Sequence, residues 1–434
     1  MSDALFPDID PTPTKPERPE TAPRYETANR SQIALCPWDL EARLPADHRA
    51  RLIWRFVEQL PLDPFYAEIG AREHWAGRPA IDPKILVALW LYATITGVGS
   101  ARELERLCGE HDAYRWICGG VSVNYHTLSD FRVAHGEALT DLLIHTIGVL
   151  LHKRVVTLRR VAQDGTRIRA SAGAASFRRR ATLEQCLAEA QRHVDATTQQ
   201  PEGAGARQTA ARQRAARQRE TRLQAALAEL PQVEAVKARG NAKTAARVST
   251  TDPEARVMKM ADGGFRPAYN VEFATDVDSR VIVGVAVTNV GSDRAQLVPM
   301  LEQIEAHTHV TPGEYLVDGG FVTGENVEAA AAHQTILFAP PQKPKGDRDP
   351  AAPVPGDSTA EVAWRLRMAT PEAHAIYKDR AATAEWVNAD ARAHRTLGGF
   401  VVRGLPKVTC CVLWVALAHN LLRAARAGVS LMSG

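Results

Sequence analysis

Residues 154–165 read RVVTLRRVAQDG, and this stretch decides the fold. Val155, Val156, Thr157, Leu158 and Val161 favour extended backbone, and Asp164-Gly165 follows as the tip of a strand that delivers a side chain. Residues 314–320, EYLVDGG, repeat the pattern, with Asp318 and then glycine after a short apolar run. A carboxylate at a strand end is rigidly held and faces solvent. If the two strands are neighbours, Asp164 and Asp318 converge and can share hard divalent cations, which take oxygen ligands.

Downstream of Asp164 the chain changes character twice. Residues 178–247 are rich in Ala, Arg and Gln, which favours helix. They hold 14 Lys and Arg against 7 Asp and Glu, a charge of +7, while the whole chain carries only +3. Past Ser249 the β pattern returns. AYNVEFAT and VIVGVAVT flank the polar turn Asp276-Val277-Asp278-Ser279-Arg280, an antiparallel hairpin. Ser292 is placed to cap a helix over DRAQLVPMLEQIEAH, and after EYLVDGG come a helix over ENVEAAAAH and a strand TILFAP. Strand, basic helical insertion, hairpin, helix, strand, helix, strand, helix describes a mixed sheet with helices packed on it. It is the order expected of a ribonuclease H-like fold, α+β or α/β in class, interrupted by an insertion at about 178–247.

Upstream, residues 36–152 read as a helical domain. Asp82 caps a helix whose first position is Pro83 and whose apolar run ILVALWLYATI ends near Gly97. Ser100 with Glu103 has capping-box spacing, and Thr127 with Asp130 has the same geometry with a shorter acid. Residues 1–35 carry Pro7, Pro11, Pro13, Pro16, Pro19 and Pro23 among scattered charges and read as a flexible tail. The sheet domain is expected over 153–425.

Composition narrows the function classes. At 45% hydrophobic and 24% charged the 434 residues suit a globular protein of more than one domain. The six cysteines form no C-x-x-C pair, which argues for reduced thiols in a cytoplasmic protein and against zinc. The opening MSDALFPDID lacks an apolar h-region, and VTCCVLWVALAHNLL, broken by His419 and Asn420, reads as a buried helix and not a membrane span.

A third acid completes the pair. In IYKDRAATAEWVNADARAHR, Tyr377, Arg380, Glu385 and Arg392 recur at roughly helical spacing and can share a face. Three carboxylates supply the negative charge that two Mg²⁺ ions need in order to activate a nucleophile and stabilise the leaving oxygen of an in-line displacement. Spacing alone does not select this triple among 50 acidic residues. The order of several strings does: AIDPKILVALWLYA, SARELERLC, YHTLSDFR, DGTRIRASA, STTDPEARVMK, YNVEFATDVDSRVIVGVAVTNVGSD and VDGGFVTGENV. From about residue 36 to 423 the chain resembles the DDE transposases of bacterial insertion sequences, in the branch with a helical N-terminal domain and a Y-R-E-K type signature.

The resemblance implies catalytic and metal-binding roles for Asp164, Asp318 and Glu385, with two Mg²⁺ or Mn²⁺ ions, and contacts to the DNA end by Tyr377, Arg380 and Arg392. It implies cleavage at transposon ends, strand transfer into target DNA, a dimer or higher multimer holding two ends, and residence on the nucleoid. The sequence departs from the family in three places. Four residues, where three are common, separate Arg380 from Glu385; Arg392 stands in the place of a Lys; and Phe321 stands where Tyr is frequent. Arg at 392 keeps the charge but presents a planar fork.

Other acids have plainer explanations. Asp252 before Pro253 suits a turn, Asp293 the first turn of a helix, and Asp276 and Asp278 the hairpin turn. Trp386 is expected in the core, with stacking on an unpaired base as the alternative. His111, His126 and His135 lack acid or cysteine companions at ligand spacing. The basic insertion is either a solvated surface or a DNA-backbone contact, and the helices from Ser100 to His135 allow a helix-turn-helix. Rival functions are a non-catalytic DNA-binding descendant of a transposase and a ribonuclease H-like nuclease without strand transfer.

Overall fold

The structure, a computed structural model, describes residues 39–70, 79–199, 206–240, 244–342, 349 and 352–429. The tail expected over 1–35 lies outside the described residues. Seven described helices precede the sheet: α1 (Arg49–Val57), α2 (Asp63–Ala67), α3 (Pro83–Ile95), α4 (Ala101–Glu110), α5 (Asp112–Cys118), α6 (Tyr125–Ala134) and α7 (Gly136–His152). Their starts follow local chemistry. The Asp82 carboxylate accepts from Lys84 N at 2.9 Å ahead of Pro83, and Ser100 Oγ accepts from Glu103 N. The cap of α6 is Asn124, whose Oδ1 accepts from Thr127 N at 3.0 Å, so Thr127, expected to be the cap, sits inside the first turn. Asn124 wins because its extended backbone brings its amide oxygen onto that donor.

The sheet begins with β1 (Arg160–Arg169) and contains β4 (Arg256–Lys259), β5 (Phe265–Asp276), β6 (Ile282–Thr288), β7 (Glu314–Leu316) and β8 (Ile336–Phe338), the short pair β2 (Phe177–Arg178) and β3 (Val248–Ser249) lying apart from it. The order is β4-β5-β1-β7-β8, with β6 also on β5. β1 is antiparallel to β5 and parallel to β7. The expected hairpin is β5–β6, closed by Asp276, which is buried and accepts from Leu158 N and from both N–H and hydroxyl of Ser279. Contrary to expectation, β1 does not stop at Asp164. Its pairing with β5 carries it on to Arg169, and only the pairing with β7 ends early, at Ala162. Asp164 lies just beyond the point where β7 leaves off.

Helix α10 (Leu297–Thr308) starts at Leu297, not after Ser292 as expected, because Asp293 turns back to Asn270 and Arg167. The chain then runs through α11 (Gly324–Ala332), between β7 and β8, to α12 (Thr359–Met368) and α13 (Pro371–Tyr377). The insertion is an antiparallel hairpin of α8 (Arg180–Gln199) and α9 (Ala206–Arg239), rooted on the β2–β3 pair. It has its own small core of Leu183, Ala190, Leu223, Ala226, Leu230 and Val248.

After α14 (Trp386–His394), α15 (Leu405–Arg426) joins the two halves of the molecule. It packs on α3, α6 and α7 and also on β6. Trp414 Nε1 donates to Arg132 O at 3.1 Å in α6, while Asn420 both donates to and accepts from the backbone of Ile282 at 2.8 Å. By length and composition α15 is apolar enough to cross a bilayer, yet it is mostly buried here among those elements, as expected of VTCCVLWVALAHNLL. From Leu40 onward the chain forms one compact unit. Cys108, Cys118, Cys186, Cys410 and Cys411 are free thiols; Cys36 lies outside the described residues.

Candidate active site

Asp164 projects from β1 on the face covered by the segment between α13 and α14. Its Oδ1 accepts from Arg380 Nη2 at 3.0 Å and its Oδ2 from Asn388 Nδ2 at 3.1 Å. Asp318 sits two residues beyond β7, its Oδ1 bonded to Gly320 N at 2.6 Å and its Oδ2 3.9 Å from Arg380 Nη2. Glu385 accepts from Arg380 Nη1 at 2.7 Å. One guanidinium therefore touches all three acids picked from the sequence.

The local backbone explains how. Residues Ala381–Glu385 form a turn of π-helix between α13 and α14. A regular α-helix sets residues five apart well around its circumference, whereas i→i+5 bonding widens the turn and brings Arg380 and Glu385 onto one face. The four-residue spacer is thus accommodated by one inserted residue. Asp379 anchors the junction through Arg160, which also pairs with Glu314 of β7, both at 2.5 Å. That ties the π-turn to β1 and β7 together.

Electrostatics follow the geometry. Asp164 is 16% exposed, Asp318 40% and Glu385 54%, so the acids grade from a sheltered floor to an open rim. Burial pushes the Asp164 carboxyl above its ordinary value against the pull of Arg380 and Asn388, and Asp318 and Glu385 add to the rise. Burial opposes the charge on Arg380, but Asp164 first, then Tyr377, Asp318 and Glu385, hold its pKa above the usual guanidinium value. Tyr377 is half-buried beside them, its phenol raised by burial and lowered in part by Arg380. Among the described residues no three acids, histidines or cysteines close around a single point. The cation of Arg380 lies between them instead.

Behind β1, on the opposite face, Gly165 pairs with Glu272 across the sheet. A Cβ at 165 would run into the Glu272 carboxylate and come 3.0 Å from Asp293 Oδ1. Glu272 is fully buried, held by Gln163 Nε2 at 3.1 Å and Asn270 Nδ2 at 2.8 Å. Burial, and the nearby Asp293, push its carboxyl well above the ordinary range. The glycine after Asp164 is there because a carboxylate network fills the space a side chain would need.

Two family models match the chain. One, described as Transposase domain (DUF772), matches residues 38–134; the other, described as Transposase DDE domain, matches residues 357–425, which include Tyr377, Arg380, Glu385 and Arg392. The two matches support a DDE transposase of an insertion sequence. No curated protein and no solved structure gives a significant match.

In this transposase Arg392 is exposed on α14 and lines, with Asp164, Arg167, Lys259, Glu385 and Asn388, an open cleft of about 730 Å³. Sequence reading missed Asn388, although it stands one helical turn after Glu385 and its spacing offered a signal. The rival acids lie elsewhere. Asp252 is buried with Oδ1 bonded to Tyr269 OH and Gly404 N, and Asp293 pairs with Arg167 at 3.0 Å. Trp386, expected in the core, is 37% exposed, flanked by the guanidinium of Arg280 and the ring of His419. The turn-former reading of Asp278 is compatible with its exposed pair to Arg159. His111 caps α5, His126 stacks on Tyr125, and His135 meets Glu68.

Proposed function

We propose that the transposase cuts DNA at the ends of its element and joins the freed 3′-hydroxyl to target DNA, with Asp164, Asp318 and Glu385 as the metal-binding catalytic triad. The observation that carries this reading is the convergence of all three acids on Arg380. A site that already holds one cation between three oxygen-donor side chains suits hard divalent ions, so the donor set fits Mg²⁺ or Mn²⁺. Bound there, a pair of such ions supplies Lewis-acid activation of the attacking oxygen and stabilises the leaving one.

The chain's own groups do the rest. Asp164 is fixed by β1 and Asn388, while Glu385 and Asp318 approach from the π-turn and from the loop after β7. Arg380, once the acids have another cation, is free to meet a phosphate oxygen as a planar fork. Arg392 lines the same opening and Tyr377 stands beside Arg380; both serve as contacts to the DNA end. The strand order, with β1 antiparallel to β5 and parallel to β7, supports a ribonuclease H-like core over 153–425. Residues 36–152 serve DNA recognition, and two copies hold the two ends. Action on DNA places the protein on the nucleoid in the cytoplasm.

The test is cleavage and joining of a labelled duplex carrying the element's end, comparing the wild type with Asp164→Asn, Asp318→Asn and Glu385→Gln. Metal-dependent cleavage and strand transfer should fall by at least about 10³-fold in each variant while binding survives, an effect of about 4 kcal/mol. Unchanged activity in the three variants would overturn the site. Cleavage without joining by the wild type would favour a nuclease.

A further inference from the structure

A second cleft, larger than the one at the acids, opens where the insertion meets the helical region. Its volume is about 960 Å³. One wall is α9, from which Ala210, Arg214, Arg217 and Thr221 face it at the i, i+4, i+7, i+11 spacing of a single helical face. Opposite stand Ser129, Asp130 and Val133 of α6, the turn before α15 adds Arg403, and its first turn adds Lys407. Five cations, Arg214, Arg217, Arg222, Arg403 and Lys407, therefore meet two acids, Asp130 and the buried Asp252.

The cations crowd one another. Arg222 is pulled below the ordinary guanidinium value by burial first and then by Arg403 and Arg219. Of the three carboxylates of α9, Glu229 pairs with Arg256 and Glu234 with Arg180, while Glu220 accepts from Gln224 and does not line the cleft. Like charges gathered in a concave space cost free energy that a polyanion would recover, the protein's fixed cations taking the place of counterions that the polyanion sheds into solution.

A continuous run of chain also links the cleft to the acids. The segment that leaves Asn388 at Asp164 runs beside β1, with Phe400 N bonded to Arg169 O at 2.8 Å and Arg403 Nε to Ser171 O at 3.1 Å. From Asp164 to Arg169 a strand rises roughly 17 Å, about five base pairs of duplex. Exposed Arg392 lies at the start of this track and Arg403 and Lys407 at its end.

We infer that the cleft between α6, α9 and the start of α15 grips the sugar-phosphate backbone of duplex DNA several base pairs inboard of the end at the three acids. This deepens the proposed function and rests on it for the position of the end, but not for the grip itself. The insertion is then a clamp arm, and α6 is its opposing jaw.

The grip is testable without chemistry. The full chain in EDTA is titrated, by fluorescence anisotropy over a range of KCl, against a labelled duplex of arbitrary sequence and about 30 base pairs, long enough to span both clefts. Two variants act from different walls: Arg214→Gln/Arg217→Gln/Arg222→Gln on α9 and Arg403→Gln/Lys407→Gln near α15. Each should weaken binding at least about tenfold near 0.1 M salt and flatten the slope of log K against log salt by about 0.9 for each phosphate that is no longer neutralised. Arg159→Gln, at an exposed cation paired with Asp278 outside both clefts, should leave the slope as it is. Unchanged slopes in both multiple variants, with native far-UV circular dichroism, would overturn the grip even if the wild type cuts and joins DNA. Flattened slopes in a protein that cuts nothing would uphold the grip and sink the proposed chemistry.

Discussion

Arg380 defines what the three acids are before any ion arrives. A guanidinium 9% exposed and surrounded by carboxylates compensates charges that would otherwise repel one another in a sheltered place. Removing it leaves Asp164 buried without its cation. Arg380→Gln should therefore lower the stability of the metal-free protein by about 3 kcal/mol. Added Mn²⁺ should raise its melting temperature more than it raises that of the wild type, read by differential scanning fluorimetry. An equal metal response in the two proteins would show that Arg380 and the ions do not compete. Gly165 makes the neighbouring case. Gly165→Ala should cost about 2 to 3 kcal/mol in urea unfolding, since the added methyl meets a buried carboxylate and not open space. A loss near zero would mean that Glu272 can retreat.

At the scale of elements, the turn at 381–385 sets the geometry of the site. Deleting Ala382 should restore an unbroken α-helix in which Arg380 and Glu385 stand four apart, about 40° around it and still on one face. End cleavage should survive the deletion, with native far-UV circular dichroism; lost cleavage in a folded protein would mean that the π-turn itself is needed to place Glu385. The acids and Arg380 were legible in the sequence because the motif fixes residue types, and the hairpin, α11 and α3 because their apolar spacing and caps are local. The π-turn was not, since a fourth residue between two partners looks like a departure until i→i+5 geometry is seen. Nor were Asn388, the continuation of β1 past Asp164, or the late start of α10. Each is decided by a neighbour distant in sequence: β5 pairs onward with β1, and Asn270 draws Asp293 out of the helix. The twofold role of α9, core on one face and cations on another, likewise needed α6 and α15 to show what it faces.

Across the whole molecule, α15 is the common wall of the helical region and the sheet. His419 marks that junction, donating from Nε2 to the carbonyl of Arg280 at 2.7 Å in the neutral form. Burial pulls its pKa down from 6.5 to about 4. Between those values the unfolded chain takes a proton that the folded chain refuses, so stability falls as pH drops from 6.5 toward 4, by about 3 kcal/mol in all. Melting temperatures measured through that window should fall more steeply for the wild type than for His419→Gln, which keeps an N–H for Arg280. Parallel curves would remove His419 from the account.

The same helix sets a clock on synthesis. Trp414 closes on the carbonyl of Arg132, 282 residues earlier in the chain. At the ribosome's pace of about 5 to 20 residues per second, roughly 14 to 56 s pass between the making of those two partners. Through that interval α3, α6 and α7 stand with the apolar surface meant for α15 uncovered, a target for chaperones and proteases. A transposase copy is thus exposed to quality control during every round of its own translation, before it can reach any DNA.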